Sequence, residues 1–372
     1  MPIFDQGYQH WQGALASHAW RWVAISRQGI RSQLKNRKTK YLVLTAWTPA
    51  AALIGFLALW GLFEQKSDLV KPFLFLFQGL PDEVREGPRA FRTTIWTIAF
   101  HAFFWAEVGL SMFLVLLVGP DLISQDLRYN ALPLYLSRPL RRRDYFLGKL
   151  GIIVGFLSMI TVGPALLAYL VGVGFSLDFS VVTDTWHLLV GIVLYGLLVA
   201  VICGIVMLGF SSLSKNSRVV AIIWFGMLIL GNTIRSNVQE MGRHGIDINP
   251  SWQAVSFVND LHRLRQVFFD TESARDQIAR AYQDTLVARD RLMRSGPFRP
   301  RPRLFGPAPP PPGFLMEPEN ESPDLDEIFH EPFFQWLVSP YPWTVSAYAL
   351  ASLCGISLCI LSSRVRSLDR LR

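Results

Sequence analysis

Unbroken apolar runs alternate with short charged stretches along most of this chain, as in YLVLTAWTPAAALIGFLALWGLF at residues 41–63. A half-buried strand would alternate at a period of two, and a helix on a soluble core would leave a polar stripe. These runs do neither. About 20 consecutive apolar residues in a helix cross the roughly 30 Å hydrocarbon core of a bilayer. By that rule residues 41–63, 95–119, 149–174, 186–212, 219–234 and 343–363 are predicted as six membrane spans. The fifth is the shortest and is expected to cross with little tilt. No small-residue cleavage pattern follows the first run, which is expected to act as its own insertion signal.

Two stretches between the runs have a different periodicity. Between residues 15 and 35, Leu15, Ala19, Trp22, Val23, Ile30 and Leu34 share one helical face, with Arg21, Arg27, Arg31 and Lys35 on the other. That pattern predicts an amphipathic helix in the interface ahead of span one. Residues 251–294 carry helical spacing at Val258, Leu261, Leu264 and Phe268, then at Ile278, Tyr282 and Val287, predicting two helices broken near Asp270. The following RPRPRLFGPAPPPPGF is too rich in proline for helix or central strand, and predicts an extended tether or a polyproline ligand.

Composition agrees with a bilayer as solvent: 51% of residues are hydrophobic and only 17% charged. The net charge of +8 sits at the ends of apolar runs, which suits anionic lipid and argues against nucleic acid. Cys203, Cys354 and Cys359 all lie within apolar runs, giving neither a disulfide framework nor a metal site. The segment before span one, the second connection, the fourth connection (Lys215, Arg218) and the C-terminal tail are the basic ones. With six spans these four fall on one side, so both termini are expected in the cytoplasm. Residues 175–185 hold Asp178 and Asp184 with no Lys or Arg, and residues 64–94 mix both signs; these face outward together with the long connection 235–342.

The second connection carries more than anchoring charge. Arg141, Arg142, Arg143 and Lys149 would hold the start of span three at the surface, with Asp144 as a helix cap. Ahead of them, GPDLISQDLRYNALPLYLSRP at residues 119–139 mixes leucines with Asp121, Asp126 and Arg128 and is interrupted at Pro133 and Pro139. It reads as a surface-lying helical element suited to docking a soluble partner.

An acid near the end of span two, a leucine-rich stretch, Leu136-Ser137-Arg138-Pro139-Leu140, basic residues, then Tyr145, Gly148 and Lys149 opening span three: this order resembles the membrane subunit of type 2 bacterial ABC exporters. The likeness is close over residues 119–149, and the six-span layout with its large outer loop extends it along the chain. It implies an all-α polytopic permease of the inner membrane, with an interface helix before span one and a coupling segment at 120–148. In that arrangement residues 1–40 are cytoplasmic, 41–234 carry spans one to five, 235–342 form the outer loop, and 343–372 hold span six and the tail. It implies docking to a cytoplasmic ATP-binding-cassette ATPase through Asp126, Arg128, Leu134, Leu136, Arg138, Pro139, Arg141, Arg142 and Arg143. It further implies pairing with an identical or second permease in contact with membrane lipid, no cofactor on this chain, and ATP and Mg on the partner.

No phosphate-binding loop is present, since Gly148-Lys149 is followed by Leu150. No zinc-protease or serine-hydrolase signature appears either, so a polytopic membrane enzyme has no identifiable catalytic group. The stronger rival is a secondary transporter, which uses ionisable groups within the membrane. Glu107 in span two answers that description, and His101 is too far round the helix to pair with it. Glu107 is expected either to hydrogen-bond to another helix or to line a transport path. Gly151 and Gly155, and Gly191 to Gly209 in span four, predict close helix packing, a dimer face included.

Overall fold

The computed structural model describes residues 20–131, 142–176, 178–246, 248–295, 328–329 and 331–366, and the described residues contain helices and no strand. α1 (Arg21–Gln33) precedes span one, which comprises α2 (Arg37–Ala46) and α3 (Thr48–Glu64). After the short α4 (Asp82–Glu86), span two runs as α5 (Arg92–Val118) directly into α6 (Asp121–Arg128). Span three is α7 (Arg142–Ile160) with α8 (Val162–Phe175), span four is α9 (Ser180–Leu213), and span five is α10 (Ser217–Arg243). The long connection on the side opposite the basic segments, expected to be the outer connection, holds α11 (Phe257–Phe268), α12 (Thr271–Ser295) and α13 (Pro332–Leu337) before span six, α14 (Trp343–Arg366). Six helical spans meet the length and composition needed to cross a bilayer, as the apolar runs predict.

Prolines explain the breaks in spans one and three. Pro49 has no amide for the Thr45 carbonyl, and the Thr48 hydroxyl donates to that carbonyl instead at 2.7 Å. Pro164 likewise breaks the ladder to Ile160, and the chain turns at Thr161. The fifth span corrects the sequence expectation of 219–234: its helix is 27 residues long and continues through the polar stretch to Arg243. It stops only at Gly245, whose φ of +75° allows the left-handed turn that lets the Ile246 amide bond back to the Met241 carbonyl at 3.1 Å.

The ends of spans one, two and four on the side opposite the basic connections are clasped by charge. Arg92 donates from Nη2 and Nε to Glu64 Oε2 at 2.8 and 3.0 Å, Trp60 Nε1 donates to Glu64 Oε1 at 2.7 Å, and Arg92 Nη1 reaches Ser180 Oγ at 3.2 Å. Helices of 27 and 34 residues, α5 and α9, are about 40 and 51 Å long at 1.5 Å per residue, more than the roughly 30 Å core demands. The outer connection packs into the space they enclose. Tyr195, 15 residues along α9 from Ser180, donates to the Leu261 carbonyl at 3.0 Å, and the rings of Phe104 and Phe269 lie 5.2 Å apart. α11 therefore dips between spans two and four, capped by Ser256 and separated from α12 by Asp270, whose φ is +47°. The expected proline-rich tether lies outside the described residues.

Residues 64–94 depart from the plain mixed-charge loop expected of them. Asp68–Phe77 winds as a tight 3₁₀-type turn that buries Val70 and Phe77 while exposing Leu69 and the run Phe73 to Leu76. That apolar rim lies on the side opposite the basic connections and suits the bilayer interface.

Candidate functional site

The basic side of the bundle is built around α6. Leu122, Ile123 and Ser124 are buried, while Gln125 and Arg128 face outward. Pro120 at its start supplies no side-chain cap, so the first amides need partners from elsewhere. Ser211 near the end of span four provides them, accepting from the Ile123 and Ser124 amides at 3.0 and 3.1 Å and donating to the Pro120 carbonyl at 2.9 Å. Ser124 Oγ lies 2.8 Å from Ser217 Oγ, which opens span five. A Cβ on Gly119 would fall 2.2 Å from Met207 Cγ, so only glycine lets this turn approach span four so closely.

The other end of α6 is tied to span three. Asp126 Oδ2 accepts from the Tyr145 hydroxyl at 2.6 Å and pairs with Lys149 Nζ at 2.7 Å, and the ammonium stands 5.5 Å from the centre of the Tyr145 ring. The predicted docking acid thus engages its own chain. Arg128 is exposed beside Tyr129, and with Lys215, Asn216 and Arg218 it lines an open basic basin. Arg142 and Arg143 open α7, with Arg143 exposed. Asp144 stands in the first turn of α7. Leu134, Leu136, Arg138, Pro139 and Arg141 lie outside the described residues.

α1 lies along α7, and glycines make the fit. A Cβ on Gly148 would come 2.7 Å from Ile25 Cβ, one on Gly151 would come 2.2 Å from Ser26 Oγ, and one on Gly155 would come 2.6 Å from Ile30 Cδ1. Ser26 Oγ donates to the Gly148 carbonyl at 2.9 Å. The small-residue stripe at 148, 151 and 155 therefore seats α1 within one chain, which corrects the reading of Gly151 and Gly155 as a dimer face. Trp22, Val23, Ile30 and Leu34 are half-buried as expected, whereas Ile25, Ser26 and Gly29 in the contact were not singled out by periodicity. Residues 15–19 are outside the described part.

Glu107 is fully buried, on the face of α5 that also carries Phe100, Phe104, Ser111 and Leu114. Among the described residues neither carboxyl oxygen has a hydrogen-bond partner, and the same holds for Ser111 Oγ one turn away. His101 belongs to a different cluster. Its Nδ1 accepts from Arg265 Nε at 3.2 Å, and the Arg265 Nη1 group lies 3.1 Å from His262 Nδ1. With Trp336 packed edge-on against the His101 ring, this cluster fastens the outer connection to span two. Burial pushes the Arg265 guanidinium down to about 10 and lowers the His262 imidazole well below its usual value.

Six helices long and apolar enough to cross a bilayer, with a short helix braced by three of them, define a multi-pass membrane protein. The sequence matches the family described as ABC-2 family transporter protein over residues 32–243, more than half of the chain, and the chain belongs to that family. The matched stretch contains Glu107, Asp126, Tyr145 and Lys149, and the outer connection and span six follow it. No curated protein matches the chain.

Proposed function

We propose that this chain is the permease subunit of an ATP-driven export complex of the inner membrane, with both termini cytoplasmic. It works as one of two permease chains beside two separate ATP-binding-cassette ATPases, which carry the ATP and Mg. The observation that carries this reading is the bracing of α6: Ser211, Ser217, Tyr145 and Lys149, from three spans, hold an eight-residue helix at the basic surface. A push on α6 is therefore delivered to spans three, four and five together, while α1 follows span three through its glycine seat. ATP binding would close the ATPase pair, shift the segment 120–148, and exchange inward for outward access between the permeases. The secondary-transporter alternative rests on Glu107, which does not line the basic basin.

The test is co-expression with the candidate ATPase, followed by purification through a tag on the permease and assay of ATP hydrolysis in vesicles. Stoichiometric recovery of an active ATPase is expected. A permease that purifies alone and transports on an ion gradient would overturn the proposal.

A further inference from the structure

A cleft of about 710 Å³ opens on the outer half of the bundle between spans one and two, roofed by α12 and α13. Its volume lies within the roughly 300–1,000 Å³ range of ligand cavities. The walls are apolar: Phe56 from α3 and Ala99, Ala102 and Phe103 from α5, with Tyr282 from α12 above them. Ala52 and Ala102 on its lining are exposed, so the opening looks sideways out of the helix pair, where the solvent is hydrocarbon. Its lining follows α5 from Ile95 to Phe103, eight residues or about 12 Å at 1.5 Å per residue, a length that takes the greater part of an acyl chain.

Its rim is polar in one way only. Among the described residues, Glu331 is the single charged one in the lining, it is exposed, and its carboxylate forms no ion pair. Gly79, Leu80 and Pro81, also in the lining, continue directly from the 3₁₀ turn whose Phe73 to Leu76 side chains face the bilayer interface. The cleft is thus bordered by an interfacial wedge, walled for a hydrocarbon tail and fitted at its mouth with one unpaired acid.

We infer that this cleft binds one acyl chain of an outer-leaflet phospholipid whose headgroup carries a protonated amine, held at Glu331. An acidic phospholipid would set its own charge against Glu331 and is disfavoured. This inference rests on the transporter reading and names a substrate or regulator class for it.

The experiment uses the full-length chain in phosphatidylcholine vesicles without any ATPase. The probes are phosphatidylethanolamine and phosphatidylglycerol, each carrying the same photoactivatable group in one acyl chain. The amine lipid is expected to label residues 95–103 and to outcompete the acidic lipid by about tenfold, the scale of one charge-assisted contact. Ala102→Trp should abolish that labelling, and Glu331→Gln should keep the labelling while erasing the preference. Equal labelling by the two lipids in the wild type, or a preference unchanged in Glu331→Gln, overturns the proposal. Glu331 is exposed, so its variant decides the matter even where Ala102→Trp fails to fold. ATPase recovery is measured separately, so failed labelling with intact co-purification rejects the cleft alone.

Discussion

Lys149 and Asp126 form a 2.7 Å ion pair that is nearly enclosed, with side-chain exposures of 12% and 13%. Removing one member of such a pair leaves the other charge without compensation in a dry place, which costs far more than an exposed pair would. Asp126→Lys is expected to destabilise the chain by about 1.5–3 kcal/mol and to reduce ATPase recovery. Adding Lys149→Asp should restore much of both, because the pair positions α6. A direct contact between Asp126 and the ATPase predicts no such rescue, so thermal melts and co-purification across the four members of this double-mutant cycle separate the two.

The α1 seat gives a second expectation. A Cβ on Gly151 would stand 2.2 Å from Ser26 Oγ, whereas one on Gly109 meets nothing within 4 Å. Gly151→Val should therefore lift α1 from α7 at a cost of about 1–3 kcal/mol, and Gly109→Ala should leave the contact intact. The readout is maleimide labelling of Ser26→Cys, a buried position. Fast labelling in the Gly151 variant with slow labelling in the Gly109 control is the expected result, and equal rates would remove the glycines from the argument.

Residues 41–63 and 186–212 announce their spans because an apolar run of membrane length has one physical destination. The α6 helix is legible only as a mixed segment, since its amides are capped by Ser211, a partner more than 80 residues away that no local pattern marks. The wedge at Asp68–Phe77 is hidden for the opposite reason. Its apolar run is too short to span, and the flanking charges make the connection look like an ordinary loop. Hydropathy drops near residue 234 and predicts an end of the fifth span there, although helix formation tolerates polar residues once one face is solvated. Glu107 was legible as an anomaly, but its lack of a partner among the described residues was not.

Asp260 carries a pH prediction. It lies on α11 and is 2% exposed, accepting from Ser346 Oγ at 2.7 Å, and burial pushes its carboxyl from 3.8 up to about 8. The folded chain thus keeps a proton that the unfolded chain releases near pH 4, so stability should fall as pH rises from about 4 to about 8. Tyr341 and Arg265, at about 12 and about 10, titrate above that window. His262 acts in the opposite direction, since its lowered value removes stability as pH falls below about 6.5. Asp260→Asn eliminates the first effect and leaves the second. The melting temperature of the variant minus that of the wild type should rise from pH 5.5 to pH 8; a constant difference would refute the assignment.

Glu107 sets a sharper test than its position in a span alone would. An interhelical hydrogen bond at this site would make Glu107→Leu destabilising, because leucine leaves the partner unsatisfied. Both carboxyl oxygens are instead buried without a hydrogen-bond partner among the described residues, on a face shared with Phe100, Phe104 and Leu114. A buried polar group in that situation costs about 1–3 kcal/mol, and an apolar side chain of similar volume relieves it. Glu107→Leu is therefore expected to raise the detergent melting temperature, while Glu107→Gln, still polar, should not. Transport in reconstituted vesicles then separates two meanings of the result. A Leu variant that is more stable and transports normally makes the carboxyl dispensable. One that is more stable and does not transport shows that the acid is used in turnover. A Leu variant with a lowered melting temperature would mean that the assembled protein supplies Glu107 with a partner beyond the described residues.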